Sequence, residues 1–363
     1  MAISASHRSL VAGVALLVAL SAAGCSTVGY YVQAIEGQFE LVHQARPIPQ
    51  VIADPATPQA LQDKLTHALQ IRNFASAQLH LPDNDSYRRY ADLKRAYVVW
   101  NVFAAPEFSI TPKDWCFPFA GCVGYKGYFS KAGADQLAAD LAKQGYDVYT
   151  GGVPAYSTLG WLNDPILNTF IHYPDAELAR LVFHELAHQV AYAKGDSTFN
   201  ESFAVTVEEV GVERWLASNG TLEQRKEFDA AQIRRHGFVQ LVTKYRARLA
   251  DVYAEPLSPE LMRERKRMVQ MAMRAEYEQL KKSWNDYAGY DAWIGQSLNN
   301  AQFASIAIYT QLVPTFQRIL RDNDGDLTRF YAQVKRLAGM NKAERDVDLS
   351  KSSSSEAEGR PAH

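Results

Sequence analysis

Phe183-His184-Glu185-Leu186-Ala187-His188-Gln189 is the most informative stretch in this chain of 363 residues. Residues four apart lie on one face of a helix, so the imidazoles of His184 and His188 can converge on one metal ion. The apolar residues around the motif favour a helix whose metal-facing side is buried: Leu178, Leu181, Val182, Leu186, Val190 and Ala191. The pattern predicts a zinc-binding helix. Two ordinary histidines on a helix are the alternative interpretation.

Glu185 follows the first histidine, so its carboxylate can act as general base on a metal-bound water without competing for the ion. A catalytic zinc also takes a third protein ligand and keeps one position open for water. If the helix runs to about Lys194, turns at Gly195 and restarts near Asn200, the chain brings Glu201 back to the ion. Stabilising the start of the second helix is the alternative role for Glu201.

Glu208 lies seven residues after Glu201 on the same helical face, where it can accept a hydrogen bond from a ligating imidazole. Asp196, Glu209 and Glu213 are the alternative metal ligands. The sequence therefore predicts one Zn²⁺ ion held by His184, His188 and Glu201.

The pattern of apolar residues changes character near Pro174. Before it, helices are predicted at 29–45 and 58–79, strands at 97–103, 116–129 and 146–149, and a short helix around 137–141. The strand at 146–149 continues through 151–156 as an edge strand or a loop beside one. From 175 to about 339 nearly everything is helical, with breaks near Gly195, Gly220, Pro256, 289–300 and 323–325.

The predicted fold class is therefore α+β and predominantly α. A single domain, 25–339, would combine a mixed α/β portion, 25–174, with a helical zinc-binding portion, 175–339, and any cleft would lie between them. Residues 340–363 end in a polar, low-complexity run and are predicted to be a disordered tail.

Residues 1–24 have the charge, apolar run and small residues of a secretory signal. Leu20-Ser21-Ala22-Ala23-Gly24-Cys25 resembles a bacterial lipobox, although Ala22 stands where Leu is more frequent. That resemblance implies acylation of Cys25 and a lipid anchor in the membrane. Ser26 lacks the Asp that marks inner-membrane retention, so the expected location is the outer membrane, facing the periplasm. An ordinary cleaved signal is the alternative.

Two further cysteines, Cys116 and Cys122, form a predicted disulfide in that oxidising compartment. Free thiols or metal binding are the alternatives. Lysine and arginine number 38 against 40 aspartates and glutamates, for a formal net charge of −2. This balance gives no electrostatic footprint for nucleic acid.

His184 to His188 followed by Asn200-Glu201-Ser202-Phe203-Ala204 resembles the gluzincin metallopeptidases, whose aminopeptidases carry a similar Asn-Glu-x-Phe-Ala helix. The lipobox, Tyr156-Ser157-Thr158-Leu159-Gly160-Trp161 and Leu298-Asn299-Asn300-Ala301 resemble a family of bacterial lipoproteins described as aminopeptidases. The resemblance implies a peptide substrate and Glu201 as third zinc ligand. This chain departs from the gluzincin pattern in two ways. The interval from His188 to Glu201 is shorter than in the best-known aminopeptidases. Four residues after Glu201, Val205 stands where thermolysin-like enzymes have an acid.

Amide hydrolysis also needs a hydrogen-bond donor for the developing oxyanion. Gluzincins often use a tyrosine or histidine, and the candidates here are Tyr287, Tyr290 and Tyr309, or the loop around Asn299 and Asn300. Tyrosines in such helices are more often simply core residues. The segment 151–161, with Gly152 and Tyr156, is the predicted substrate-holding edge, because an extended peptide can add to a strand through main-chain bonds. Its glycines can equally serve only a turn.

These patterns together predict a zinc-dependent peptidase, an aminopeptidase by resemblance. One alternative is a non-catalytic envelope lipoprotein in which zinc stabilises a scaffold. Another is an endopeptidase or cell-wall amidase with the same zinc chemistry.

Overall fold

The computed structural model describes residues 29–117, 121–155 and 157–354. Helices account for most of these residues, beginning with α1 at 29–44. The others are α2 (Ile48–Ala53), α3 (Gln59–Leu79), α4 (Lys131–Lys143), α5 (Asp175–Ala187), α6 (Ser197–Asn219), α7 (Leu222–Ala254), α8 (Pro259–Ser283), α9 (Asp291–Ile294), α10 (Asn300–Thr310), α11 (Val313–Asp322), α12 (Leu327–Ala338) and α13 (Lys342–Ser354).

The strands form three small sheets. Their bounds are β1 (Arg46–Pro47), β2 (Arg89–Ala91), β3 (Val99–Pro106), β4 (Trp115–Phe117), β5 (Gly121–Val123), β6 (Lys126–Tyr128), β7 (Tyr146–Val153) and β8 (Ile166–Leu167). The longest strands pair in the order β6-β3-β7, all antiparallel, with Asn101 opposite Gly151. A mixed sheet has the order β1-β2-β8, and β4 and β5 form a hairpin.

The α+β, predominantly helical architecture is confirmed. The predicted helices at 29–45 and 58–79 correspond to α1 and α3. The predicted breaks separate α6 from α7, α7 from α8, α8 from α10 and α11 from α12, whereas the break between α10 and α11 at residues 311–312 was not predicted. Strand β7 lies at the edge of its sheet, as the glycines indicated. The helix predicted around 137–141 is longer, because Ser130 caps it through a hydrogen bond from the Gly133 amide.

The largest hydrophobic core joins helices from both halves of the chain, including Leu65 of α3, Phe183 of α5, Phe203 of α6 and Phe330 of α12. A second core lies between α7, α8 and α10, around Tyr245, Met273 and Phe303. The β6-β3-β7 sheet packs one face on α4 and the other on α10. Helix α10 therefore connects the sheet to the α5–α6 pair, which it also contacts.

The prediction of a disordered tail over residues 340–363 is wrong for 342–354, which form α13. Leu349 is buried in the main core, and the guanidinium of Arg345, 2% exposed, donates two hydrogen bonds to Asp196. A tertiary ion pair thus stabilises a helix whose own composition is polar. Residues 355–363 of the predicted tail lie outside the described ranges.

The predicted signal, residues 1–24, and Cys25, the predicted site of acylation, also lie outside the described ranges. Among the helices that the structure describes, none has the length and apolar character needed to cross a membrane. The boundary between the mixed and helical portions at residue 174 stays a prediction.

Candidate metal centre

Helices α5 and α6 supply the candidate metal ligands. The loop between them differs from expectation, because α5 ends at Ala187 rather than near Lys194 and α6 begins at Ser197 rather than near Asn200. The Asn200 side chain accepts a hydrogen bond from the Ala193 amide at 2.7 Å and donates to the Ala193 carbonyl at 2.9 Å. These two bonds hold the loop in a non-helical path against α6.

Asp196 fixes the start of α6. Its carboxylate accepts a hydrogen bond from the Phe199 amide at 3.1 Å and so caps the helix. Gly195, just before it, has φ of +77°, a left-handed conformation that glycine adopts without strain. Glu201 therefore lies beyond the first turn of α6 and still returns to the histidines.

His184, His188 and Glu201 form one group, in which one donor atom from each residue lies within 4.8 Å of the others. The Nε2 atom of His184 lies 3.1 Å from an oxygen of Glu201, and the Nε2 atom of His188 lies 3.6 Å from the same oxygen. Tetrahedral zinc with bonds near 2.1 Å needs neighbouring donors about 3.3 Å apart. The donor types and their separations therefore fit a zinc ion.

The three residues are deeply buried, with 7%, 8% and 7% of their surface exposed. Burial alone would lower the pKa of His184, yet its contacts with Glu201 and Glu208 raise that pKa to about 10. Burial would raise the pKa of Glu201, but His188 and His184 lower it to about 2. The two shifts have one cause, the attraction between the imidazoles and the carboxylates packed around them.

Glu208 lies behind His184 and contacts its second ring nitrogen, Nδ1, at 2.8 Å. The guanidinium of Arg180 lies 3.2 Å from both oxygens of Glu208, and that of Arg235 lies 3.0 Å from one of them. Although burial opposes ionisation, Arg180, His184 and Arg235 lower the pKa of Glu208 to about 2. A carboxylate in this position fixes the tautomer of a histidine ligand and leaves Nε2 free for the metal.

Glu185 is 7% exposed, and burial raises the pKa of its carboxyl group. The neighbouring imidazoles of His184 and His188 act in the opposite direction and lower this pKa. Within residues 29–117, 121–155 and 157–354, its side chain accepts no hydrogen bond. A buried carboxylate with a raised pKa can take up a proton from a water molecule.

Tyr309 lies on α10 with its ring centre 6.4 Å from that of His184, in a stacked arrangement. Burial and the charges of Glu201 and Glu185 raise its pKa well above the usual range. It therefore stays protonated and can donate a hydrogen bond beside the ligands.

Three further residues were predicted to bind substrate: Gly152, Tyr156 and Tyr290. Tyr290 stacks on Phe238 with ring centres 4.1 Å apart and belongs to the second core. Among the described residues, no hydrogen bond or ring contact joins Tyr290 to the metal group. Gly152 is on β7, where a Cβ atom would lie 2.5 Å from the ring of Tyr97, so close packing requires glycine there. Tyr156 lies outside the described ranges.

The alternative ligands do not join the group. Asp196 is paired with Arg345, Glu209 accepts a hydrogen bond from Gln317, and Glu213 is exposed.

Tyr125 is a site residue that the sequence analysis missed. It follows β5 and packs in the same cluster as Tyr309. Burial raises its pKa well above the usual range, with further contributions from Glu201, Tyr192 and Glu185. Nothing in the local sequence marks it, because its place beside Tyr309 depends on tertiary packing.

Cys116 and Cys122 are joined by a disulfide across that hairpin. The hairpin also packs on the metal-ligand loop: a Cβ atom on Gly121 would lie 2.6 Å from the backbone nitrogen of Gly195. The disulfide therefore closes a hairpin whose backbone supports the segment between His188 and Glu201.

A family model described as "Putative aminopeptidase" matches residues 29–349, and the chain belongs to that family. The membership supports a peptidase-like function. No curated protein and no solved structure matches the chain significantly.

Proposed function

We propose that this chain is a zinc-dependent aminopeptidase held in the bacterial envelope by a lipid on Cys25. The single observation that carries the zinc chemistry is the buried group of His184, His188 and Glu201, whose donor separations of 3.1 and 3.6 Å suit a tetrahedral ion. Three protein donors leave one tetrahedral position for water, as in catalytic rather than structural sites.

Zinc bound there would polarise a peptide carbonyl and acidify a coordinated water. Glu185 then accepts the proton of the attacking water and passes it to the leaving amine. Burial raises the pKa of Glu185, which suits a group that has to take up a proton. Glu208, ionised by Arg180 and Arg235, keeps His184 oriented throughout.

Tyr309 and Tyr125 are the proposed donors to the oxyanion that forms as the carbonyl is attacked. Both are fully protonated at neutral pH and interact electrostatically with Glu201 and Glu185. A donor already oriented in a buried site stabilises developing charge without reorganisation.

Strand β7 is the proposed platform for the peptide. Of the described strands it pairs only with β3. On its other edge the Val148 carbonyl accepts a hydrogen bond from Asn299 at 2.8 Å, so the part of that edge beyond Val148 can accept an extended chain. Tyr149 of β7 packs in the same cluster as Tyr309, which connects this edge to the metal group.

Replacing Glu185 by Gln tests the proposal. We expect at least a hundredfold loss of peptide hydrolysis, with bound zinc staying near one ion per chain. Glu213→Gln, an exposed change on α6, is the matched control and should leave both quantities unchanged. Turnover by Glu185→Gln equal to that of the control would overturn the role of the base.

Substrate class is tested with paired peptides that have a free or an acetylated N-terminus. An aminopeptidase cleaves the free series. Cleavage restricted to the acetylated series would replace this assignment with an endopeptidase or cell-wall amidase.

The scaffold alternative predicts a different response to metal removal. A structural zinc carries much of the folding free energy, so a chelator would unfold the protein. The proposed enzyme loses activity with chelator while its helical circular dichroism persists, because its ligands sit on helices packed in a large core.

The lipid anchor is tested by metabolic labelling with an alkyne fatty acid. Label that disappears in Cys25→Ser supports acylation, whereas label retained in that variant contradicts it.

A further inference from the structure

Helix α1 carries an apolar stripe on its outer face. Val32, Ile35, Phe39 and Val42 are 45%, 67%, 70% and 44% exposed. Their spacing of three, four and three residues places them along one side of the helix. Exposed apolar side chains are usually scattered singly, so four on one face indicate an interaction surface.

The opposite side of α1 is already packed. Leu41 is 1% exposed in the main core, and Gln33 accepts a hydrogen bond from the Phe129 amide at 3.0 Å. Tyr30 stacks on Phe117 with ring centres 5.5 Å apart. Helix α1 is therefore packed on the rest of the protein through one face, and its apolar stripe lies on the opposite, exposed face.

The chain before α1 indicates what covers the stripe. Cys25, the proposed lipid-bearing residue, stands four positions before the first residue of the helix, Gly29. Four residues span at most about 14 Å when fully extended. An acylated Cys25 would hold the start of α1 at the lipid headgroups, close enough for the stripe to contact the bilayer.

We propose that α1 lies on the membrane surface with Val32, Ile35, Phe39 and Val42 inserted at the boundary of headgroups and acyl chains. The choice of a membrane as the occupant rests on the proposed lipid anchor, whereas the zinc site plays no part in it. A second copy of this chain is the competing occupant, and the test below separates the two.

The charges around the stripe indicate the kind of lipid. Residues 29–44 contain no lysine or arginine, and the exposed Glu36 and His43 border the stripe. Attraction to anionic headgroups is therefore not available on this helix, and apolar burial must drive the contact. Neutral bilayers should suffice, with little dependence on salt.

The experiment uses residues 26–363, which retain every described element and carry no acyl chain. Flotation with phosphatidylcholine vesicles compares this protein, its Ile35→Ser/Phe39→Ser variant and an Ile233→Ser/Met271→Ser control. Ile233 and Met271 are 65% and 69% exposed on α7 and α8, so the control removes equally exposed apolar side chains elsewhere.

We expect the unaltered protein and the control to float with the vesicles to the same extent. The α1 variant should lose at least about tenfold in partition coefficient, because two large apolar side chains no longer enter the lipid. Unchanged thermal unfolding verifies that the variant is folded, as exposed positions allow.

Equal flotation of the two variants would overturn the proposal, as would failure of the unaltered protein to float or flotation only with anionic vesicles. Dimers in sedimentation that depend on Ile35 and Phe39, without flotation, would assign the stripe to a second copy. Label retained in Cys25→Ser would overturn the anchor and leave this measurement standing. Inactive but floating protein would overturn only the enzyme.

Discussion

The Nδ1 atom of His184 lies 2.8 Å from a carboxylate oxygen of Glu208, two helical turns beyond Glu201 on α6. This contact lies on the side of the imidazole away from Glu201. One helix therefore supplies both a metal donor and the group that orients another donor. The spacing of seven residues on α6 thus serves two layers of the site.

Replacing Glu208 by Gln should lower zinc affinity about 10- to 100-fold, because the amide cannot fix the His184 tautomer or raise the basicity of its Nε2 atom as a carboxylate does. Competition against a chromophoric chelator measures the change. Glu213→Gln on the same helix controls for surface charge. Indistinguishable affinities in the two variants would remove Glu208 from its orienting role.

Gly121→Ala should destabilise the protein more than Gly145→Ala. Both glycines are left-handed, with φ of +79° and +85°, so both substitutions carry the backbone penalty of about 1–2 kcal/mol. Only at Gly121 would the new Cβ also meet backbone, at 2.6 Å from the Gly195 nitrogen, whereas nothing lies within 4 Å at Gly145.

Urea unfolding gives the difference in free energy between these two variants. Because the added contact presses on the loop between the ligands, Gly121→Ala should also weaken zinc binding, and Gly145→Ala should not. Equal effects of both substitutions on stability and on zinc would show that the hairpin does not support the loop.

Arg345→Met should lower the free energy of unfolding by about 3–5 kcal/mol, since it leaves the buried carboxylate of Asp196 without its main cationic partner. Arg336→Met breaks the exposed pair with Asp348 and should cost under about 1 kcal/mol. Chemical denaturation of the two variants side by side checks the contrast. A loss at Arg345 no larger than that at Arg336 would contradict the role of α13.

Asp164 should make stability depend on pH. Burial raises its pKa from 3.8 to about 6, and the charge of Glu185 adds to the rise. Between these values the unfolded chain ionises while the folded protein keeps its proton, so the free energy of unfolding falls as pH rises. The loss is on the order of 3 kcal/mol and is complete above about pH 6.

Urea unfolding from pH 3.5 to pH 8 measures this slope. Asp164→Asn should flatten the slope, while Asp63→Asn, an exposed change on α3, should leave it as it is. An identical slope in all three proteins would show that Asp164 does not titrate in this window.

Local patterns were sufficient for most of the helices. The motif around His184 and the breaks from Gly220 to Gly325 depend on periodicity and turn residues within a few positions. Such local preferences agree with the tertiary structure here. The group of His184, His188 and Glu201 followed from the same reasoning, because a helical hairpin limits which acids can return to the ion.

The end of α5 could not be predicted, because residues 189–194 suit a helix by composition. The Asn200 side chain binds the backbone N–H and C=O groups of Ala193 and so stabilises a non-helical path after Ala187. Helix α13 was not predicted for a related reason. Its sequence is polar, and Arg345 within it is stabilised by Asp196, which is 149 residues away in the sequence. Tyr125 follows the disulfide hairpin and packs in the cluster of Tyr309, so its position depends on contacts that no local pattern encodes.

The segment from His188 to Glu201 is tied down by Asn200, by the backbone of Gly121 and by Arg345 through Asp196. In the proposed zinc site, these contacts would hold His188 and Glu201 in position before an ion arrives. Magnesium and calcium prefer six or more oxygen ligands, which two nitrogens and one carboxylate do not supply. Such a site would therefore favour zinc over the other divalent ions around it.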